Sequence, residues 1–207
     1  CLSDWSSDVC SSDLDCITKD SPTQRVGSGL IKDFPKTQHL VPMLSLENSY
    51  NEEDLIDWDR KVKELSGLEE VEYSVEPKFD GASISLIYEN DLLTRAATRG
   101  DGVAGDEVTT NIRQVRSVPL SAAFSSIGIE QAEIRGEVLI NKENFTRYNQ
   151  GLLEEGLPPL ANPRNAASGT LRLKDPKEVA KRNLEVFVYH LDRKSTRLNS
   201  SHLGISY

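Results

Sequence analysis

The sequence contains few residues of the kinds that build metal sites and disulfide frameworks. Its three cysteines, Cys1, Cys10 and Cys16, all lie near the start of the chain, and none has the C-x-x-C spacing of a zinc site. No G-x-S-x-G, H-E-x-x-H or phosphate-loop motif occurs, so hydrolases and P-loop proteins have no support. We therefore assign no metal-ligating residues. The cysteine-free body of the chain is typical of a cytoplasmic protein.

The chain also lacks any apolar run that approaches the length of a membrane-spanning helix. A hydrophobic content of 37% and a charged content of 28% predict a soluble protein, which we expect to be a monomer without a membrane partner. The formal net charge of -9 argues against nucleic-acid binding by the whole surface, although a local basic face remains compatible with it. A length of 207 residues suffices for one domain with appendages.

The two ends of the chain differ in composition from its body. Residues 1–16 are serine-rich and repeat Ser-Ser-Asp, while residues 193–207 are serine-rich and contain no acidic residue. Both ends resemble translated sequencing-adapter read-through, so we expect two foreign or disordered tails. Between them, we expect a linker and lead-in segment over 17–46 and one domain over 47–192.

Alternation of polar and apolar residues at period two predicts β-strands over 71–75 and 83–88. Further strands are predicted over 92–98, 132–140 and 184–191. The pair Asn90-Asp91 marks a turn between two of them. Together with the helices described next, these strands predict an α+β fold built on an antiparallel sheet with flanking helices.

Helical periodicity and capping residues predict the flanking helices. Trp58 lies on an apolar helical stripe, and we expect it to be a core residue. The predicted helices cover 50–66 with the capping box Ser49–Glu52, 107–115 after Asp106, 142–155 after Asn141, and a short segment opened by Asn162 and Pro163.

Lys78 lies in the segment Glu76-Pro77-Lys78-Phe79-Asp80-Gly81, between two predicted strands. A lysine between two acids most simply forms a surface ion pair worth ~0–1 kcal/mol. Its amine can alternatively be a nucleophile whose charge state is set by burial and neighbouring groups. Since a free lysine with a pKa near ~10.4 is mostly protonated at neutral pH, a nucleophile here needs a proton acceptor or a nearby cation.

Other polar residues occur where the backbone can approach a ligand. Arg99 opens a loop with three glycines, which suits contact with a phosphate or sugar, although an ordinary hairpin loop explains the glycines equally well. Glu137 follows Gly136 in a strand, and its simplest interpretation is a solvent-facing side chain. Arg164 lies near the start of a predicted helix, where an anion is favoured.

The remaining charged and histidine residues indicate a binding or catalytic role less clearly. A basic run from Arg172 to Arg182 fits either a solvated face or contact with a phosphate backbone. His39 and His190 have no acid, cysteine or second histidine at a spacing typical of a metal site or catalytic triad, so we interpret both as structural.

Over residues 17–192, the chain resembles the adenylation (nucleotidyltransferase) domain of bacterial NAD-dependent DNA ligases. Lys78-Phe79-Asp80-Gly81 is similar to the K-x-D-G nucleophile motif of that family. Further similar segments occur in the family's order at 20–27, 39–46, 97–102, 135–138 and 161–167. The resemblance implies a nucleotidyltransferase core of the DNA ligase/ATP-grasp-like type. It also implies that this core is incomplete over 47–192, because the family's N-terminal helical module, later strands and downstream domains have no counterpart here.

The resemblance implies a reaction in three steps that uses NAD and Mg²⁺, with Mn²⁺ as an alternative ion. Lys78 attacks the α-phosphate of NAD to give lysyl-AMP and nicotinamide mononucleotide. AMP then passes to the 5′-phosphate of nicked double-stranded DNA, and the 3′-hydroxyl seals the nick. These steps belong to DNA replication and to the repair of DNA damage. We expect the chain alone to bind adenylate weakly and not to ligate.

The resemblance also implies roles for individual residues. Lys78 and Asp80 would be catalytic, with Asp80 beside the lysine and the reacting phosphate. The implied contacts are Glu76 with the adenine edge, Tyr189 with the adenine face, Arg99 and Glu137 with the ribose, Ser45 and Leu46 with NAD, and Arg164 and Arg172 with phosphate or the DNA backbone.

Two other functions remain compatible with the sequence. An ATP-dependent ligase or capping-type nucleotidyltransferase shares the lysine motif, although the lead-in segment and the segment Asn162–Asn165 favour the NAD type. A non-catalytic nucleotide- or DNA-binding module is the alternative from a different class.

Overall fold

The structure is a computed structural model that describes residues 20–21, 25 and 29–194. The expected tail over 1–16 lies outside these residues, as does all of the tail over 193–207 except the last two residues of a strand. The chain divides into two compact units. The larger contains the chain up to Met43 and from Asp80 onward, and the smaller contains Leu44–Phe79.

Six strands, five α-helices and one 3-10 helix make up the described part of the chain. In chain order they are β1 (Lys36–Gln38), α1 (Glu52–Ser66), β2 (Ala82–Glu89), β3 (Leu92–Thr98), β4 (Ala104–Asp106), α2 (Thr109–Ile112), the 3-10 helix Phe124–Ile127, β5 (Gln131–Leu139), α3 (Lys142–Glu154), α4 (Pro163–Leu171), α5 (Pro176–Lys181) and β6 (Glu185–Lys194). No helix of this part is both long and apolar enough to cross a membrane.

The larger unit is built on a four-stranded sheet with the order β3-β2-β5-β6, in which every pair is antiparallel. Strands β1 and β4 form a second, two-stranded antiparallel pair. The turn between β2 and β3 uses Asn90 and Asp91, both with positive φ, as their residue types favour. The sequence prediction of an α+β fold with an antiparallel sheet is therefore confirmed.

The four-stranded sheet has one apolar and one polar face, because successive side chains on a strand point to opposite sides. Ile84, Leu86 and Tyr88 of β2 are buried in the hydrophobic core of the larger unit. That core also contains residues of α2, α4 and α5, namely Ile112, Ala166, Ala167, Leu171 and Val179. The opposite face carries Ser83, Ser85, Glu133, Arg135 and Glu137, and it is this polar face that is available for chemistry.

Asparagine side chains cap the starts of helices α3 and α4. The Asn141 side chain accepts a hydrogen bond from the Asn144 N–H at 2.8 Å at the start of α3. The Asn162 side chain does the same for the Asn165 N–H at 3.0 Å at the start of α4, where Pro163 occupies the first turn. Each such cap contributes about 1 kcal/mol, and both were predicted from the sequence.

The smaller unit consists of α1 and extended segments. Asn51 accepts a hydrogen bond from the Asp54 N–H at 2.8 Å, and Gly67 ends the helix in the left-handed region with φ 69°. No residue of α1 is buried. The prediction of Trp58 as a core residue is therefore wrong: it is 39% exposed, and its ring lies 4.9 Å from that of Tyr73.

Two predictions in the region of the smaller unit need correction. The capping residue of α1 is Asn51 rather than Ser49, because Asn51 has the extended backbone that a cap requires. Residues 71–75 form no strand, because no described strand pairs with this short alternating run. Alternation alone does not make a strand without a partner to satisfy its backbone groups.

Asp106 was predicted to cap a helix over 107–115, and this is also wrong. It is the last residue of β4, and its carboxylate lies 2.7 Å from Lys36 Nζ and 2.8 Å from a guanidinium nitrogen of Arg172. The helix that follows is only Thr109–Ile112, and Val108 precedes it without a side-chain cap. Asp106 thus links β1 to the end of α4.

We predict that Asp106→Asn lowers the free energy of unfolding by about 1 kcal/mol at neutral pH, because both ion pairs are lost. Hydrogen bonding from Lys36, and then the charge of Arg172, lower the pKa of Asp106. A carboxyl with a lowered pKa stabilises the fold above its unfolded pKa of about 3.9, and this contribution disappears as the pH falls through the folded pKa.

Urea unfolding at neutral and at acidic pH tests this prediction. The difference between wild type and Asp106→Asn should shrink as the pH falls below about 4. The control is Asp33→Asn, which removes an exposed carboxylate and should have little effect. A difference between wild type and Asp106→Asn that does not depend on pH would contradict the role of the ion pairs.

Candidate functional site

The Glu137 carboxylate is held at one end of the polar face. In the strand register, Ser83 of β2, Glu137 of β5 and Phe187 of β6 lie side by side. One Glu137 oxygen accepts a hydrogen bond from the Gly81 N–H at 3.1 Å, and the other accepts one from the Ser83 hydroxyl at 2.9 Å. These two hydrogen bonds fix the orientation of the carboxylate. Glu137 is partly buried, so it is not the solvent-facing side chain that a simple strand position would predict.

Tyr189 occupies a bulge in the neighbouring strand. Arg135 pairs with His190 and Gly136 pairs with Val188, so Tyr189 is an extra residue in β6. Burial raises the pKa of Tyr189, and the charge of Glu137 raises it further. The phenol therefore stays neutral at physiological pH. With its side chain 49% exposed, it offers an aromatic surface beside Glu137.

Arg99 completes this group from the end of β3. Thr98 pairs with Ile84 of the apolar face, so the next residue falls beside Ser83 on the polar side. The positive charge of Arg99 acts on the Tyr189 phenol, which places the two groups within electrostatic range. Among the described residues, no carboxylate lies within ion-pair distance of the exposed Arg99 guanidinium, which is therefore available for an anion.

Asp80 is held by the start of α4. An oxygen of its carboxylate lies 3.0 Å from a guanidinium nitrogen of Arg164, in an exposed pair. The next residue, Gly81, is buried so tightly against β5 that a Cβ atom would lie 2.2 Å from the Val138 carbonyl oxygen. Only glycine fits at this position, so the end of the lysine motif has a fixed path beside Glu137.

Arg164 and Arg172 lie at the two ends of α4, and each is paired with an aspartate in this structure. The Arg164–Asp80 pair is exposed and contributes about 0–1 kcal/mol, so a phosphate group can compete with Asp80 for Arg164. The Arg172 guanidinium is about half exposed, whereas its partner Asp106 is largely buried. The predicted contact of both arginines with phosphate or DNA stays a prediction.

The other predicted site residues belong to the smaller unit. Ser45, Leu46, Glu76 and Lys78 are all exposed there. Within that unit, the Lys78 amine forms no hydrogen bond or ion pair with a described residue. The boundary between the two units falls between Phe79 and Asp80, inside the lysine motif.

Sequence reasoning missed a buried polar group on the same face of the sheet. Glu133 and Arg135 are buried, and both contact the backbone of Val41. Sequence spacing offered no acid for His39 or His190, but the fold places one near each histidine. His39 Nδ1 lies 3.9 Å from Glu133, and His190 Nε2 lies 3.2 Å from Asp192. Strand register and chain crossing bring these partners together, so sequence spacing does not reveal them.

A sequence profile of the NAD-dependent DNA ligase adenylation domain matches residues 31–205. The chain belongs to this family. It is 67% identical over 175 residues to the DNA ligase of Persephonella marina, a match that covers 84% of this chain and 24% of that protein. It is 59% identical over 175 residues to the DNA ligase of Aquifex aeolicus, with 84% and 24% covered.

A more distant relative gives the same result. The DNA ligase of Bacillus licheniformis is 49% identical over 177 residues, which cover 86% of this chain and 26% of that protein. The chain thus spans about a quarter of the length of the curated relatives that it matches. The family membership inferred from Lys78-Phe79-Asp80-Gly81 and the accompanying segments is confirmed.

We predict that Gly81→Ala lowers the free energy of unfolding by at least about 2 kcal/mol, because the added methyl group meets backbone that cannot move freely. The matched control is Gly151→Ala in α3, where nothing lies within 4 Å of the new atom. That change should stabilise the helix by about 0.5–1 kcal/mol. Equal effects of the two substitutions in thermal unfolding would contradict the close approach of Gly81 to β5.

Proposed function

We propose that this chain is the part of an NAD-dependent DNA ligase that accepts AMP on Lys78. The observation that carries the proposal is the gathering of Arg99, Glu137 and Tyr189 at one end of the polar face, in a chain of the adenylation-domain family. A cation, a fixed carboxylate and an exposed aromatic ring are the groups that an adenosine phosphate requires.

The proposed reaction begins at the Lys78 amine. Its nitrogen forms a bond to the α-phosphorus of NAD, while the bond from that phosphorus to the bridging oxygen breaks. Nicotinamide mononucleotide leaves with the electron pair, and Lys78 loses a proton. Neighbouring carboxylates favour the charged ammonium form of a lysine, so they activate Lys78 only by accepting its proton. Asp80 and Glu137 are the carboxylates that we assign to this part of the site.

Recognition of the rest of the nucleotide positions the reacting phosphorus. We assign the adenine face to Tyr189 and the ribose to Arg99 and Glu137. As the family resemblance implies, we assign the adenine edge to Glu76 and contact with NAD to Ser45 and Leu46. The binding energy of these remote contacts offsets the entropy that is lost when the lysine and the phosphorus are brought together. It therefore lowers the barrier to attack on the phosphorus.

The residues present also fit a magnesium ion shared with the nucleotide. Mg²⁺ is commonly held by one or two carboxylates together with substrate phosphates. Asp80 directly precedes Gly81, whose N–H donates to the Glu137 carboxylate, so these two acids are the candidates to hold the ion. When bound, Mg²⁺ or Mn²⁺ would stabilise negative charge on the transferring phosphate. The described residues include no group of three side chains that could hold a metal ion without a substrate.

The later steps concern the whole parent protein. We propose that AMP passes from Lys78 to the 5′-phosphate of nicked double-stranded DNA, with Arg164 and Arg172 contacting phosphate. The four-stranded sheet would be part of a nucleotidyltransferase core of the DNA ligase/ATP-grasp-like type, incomplete over 47–192. We expect a cytoplasmic, monomeric parent in DNA replication and repair. We also expect the isolated chain to bind adenylate weakly and not to ligate.

The test uses an exchange ligase, in which this chain's matched residues replace the 175 matched residues of the Persephonella marina protein. With NAD and magnesium, intact mass should show one added AMP in the exchange ligase. Lys78→Ala should abolish the addition, whereas Lys177→Ala, a matched change of an exposed lysine, should leave it unchanged. Unreduced AMP addition in Lys78→Ala would contradict the proposed nucleophile.

Two further experiments with the exchange ligase distinguish the alternative functions. Replacement of NAD by ATP should give no lysyl-AMP, and ATP-driven addition would favour an ATP-dependent nucleotidyltransferase. DNA binding without any adenylation in the exchange ligase would favour a non-catalytic module. Robust lysyl-AMP formation by the isolated chain would overturn the expectation that it is inactive alone.

A further inference from the structure

The lead-in residues His39–Met43 are bonded to the glycine loop Arg99–Gly105. The His39 N–H donates to the Val103 carbonyl at 3.0 Å, and the Met43 N–H donates to the Gly102 carbonyl at 2.7 Å. Gly102 has φ 94°, and a Cβ there would lie 2.9 Å from the Met43 carbonyl oxygen. The loop that Arg99 opens is therefore shaped against this segment.

Two buried charged side chains hold the same segment from the sheet. Glu133 accepts a hydrogen bond from the Val41 N–H at 3.2 Å, and Arg135 donates one to the Val41 carbonyl at 2.8 Å. Glu133 also accepts a bond from the Ser85 hydroxyl at 2.6 Å. Burying charges is costly unless they are paired or hydrogen-bonded. Both side chains bond to the backbone of one residue of the lead-in segment, and Arg135 also pairs with Asp192 at 3.1 Å. The two buried charges therefore hold this segment to the sheet.

His39 extends this arrangement to Arg99. Its side chain is fully buried, and its Nε2 lies 3.0 Å from the Arg99 carbonyl oxygen. A carbonyl oxygen can only accept, so Nε2 carries the hydrogen and donates it. Nδ1 is buried without a hydrogen-bond partner and lies 3.9 Å from Glu133.

The hydrogen bond that the His39 ring makes to a described residue is the one to the backbone of Arg99. Among the residues assigned to the nucleotide, Arg99 is the cation on the polar face, and its guanidinium has no ion-pair partner in the described chain. The contact of His39 therefore acts on Arg99, and nucleotide binding depends on the position of Arg99.

We propose that His39 is a positioning residue for Arg99. It holds the Arg99 backbone so that the guanidinium meets the nucleotide, and it touches no substrate itself. This inference rests on the proposed function, since it assigns to Arg99 the binding of the ribose and its phosphate. Glu133 and Arg135 support it by holding Val41, two residues along the chain.

The first test uses the whole 207-residue chain. His39→Phe keeps a ring but has no donor for the Arg99 carbonyl, whereas His39→Gln places an amide nitrogen near the position of Nε2. Hydrogen–deuterium exchange should become faster over Arg99–Gly105 in His39→Phe and stay near wild type in His39→Gln. Strand β5 should exchange at the wild-type rate in both variants, which separates local release of the loop from global loss of stability.

The second test measures adenylation of the exchange ligase in a single turnover at increasing NAD concentration. His39→Phe should raise the NAD concentration for half-maximal rate by roughly fivefold to tenfold, which corresponds to one lost hydrogen bond. The maximal rate should change by less than about twofold, because the reacting lysine is untouched. His39→Gln should restore most of the affinity for NAD.

A core substitution provides the matched control. Val179→Ala removes buried apolar volume from α5 and should lower thermal stability without changing the half-maximal NAD concentration. The inference is overturned if His39→Phe behaves like Val179→Ala, or if His39→Gln is as weak as His39→Phe. No adenylation in the unsubstituted exchange ligase would instead contradict the proposed function, so the two failures are distinct.

Discussion

The close approach of Gly81 to β5 is the constraint on which the site depends. Because position 81 carries no side chain, its N–H reaches the Glu137 carboxylate at 3.1 Å. The Ser83 hydroxyl holds the second oxygen of that carboxylate at 2.9 Å. One glycine therefore both ends the lysine motif and orients the carboxylate. A side chain there would displace the chain from the sheet and leave Glu137 without its backbone donor.

The charged residues near the site differ in what they are bonded to. On the polar face, Glu133 and Arg135 are buried and hold backbone, so they shape the lead-in segment and the loop beside it. At the ends of α4, Arg164 is in an exposed pair with Asp80, which a phosphate can replace at low cost, whereas Arg172 pairs with the largely buried Asp106. Arg99 alone among these arginines lacks a carboxylate partner in the described chain. Buried charges thus give the site its form, and exposed charges are left for the ligand.

Much of the fold could be predicted from local patterns, because those patterns act locally. The strand predicted over 92–98 matches β3 residue for residue, and the caps Asn141 and Asn162 start the predicted helices. The failures have a common physical cause. Residues 71–75 alternate without a strand partner, and Asp106 finds two distant cations rather than a helix end. In each case a long-range partner, or its absence, decided the structure.

The candidate site divides in the same way. Arg99 and Glu137 were singled out by neighbouring glycines and Tyr189 through the family resemblance. Strand register then brings Glu137 and Tyr189 to one end of one face, where Arg99 follows the end of β3. The buried group around His39 was missed, because its partners are contributed by separate strands. A signal was nevertheless available. Glu133, Arg135 and Glu137 occur at every second position of one predicted strand. Three charged residues at period two indicate that one face of the sheet is polar and does not pack against the hydrophobic core.

The central claim is that adenylate binds at the end of the polar face that Ser83, Arg99, Glu137 and Tyr189 form. Its most direct test is an NMR titration of the isotopically labelled 207-residue chain with AMP. Weak binding with a millimolar dissociation constant suffices for this measurement. The account predicts saturable shifts of the amide signals of these residues, with α3 unaffected. Saturable shifts confined to α3, or no saturable shifts at these four residues, would contradict it.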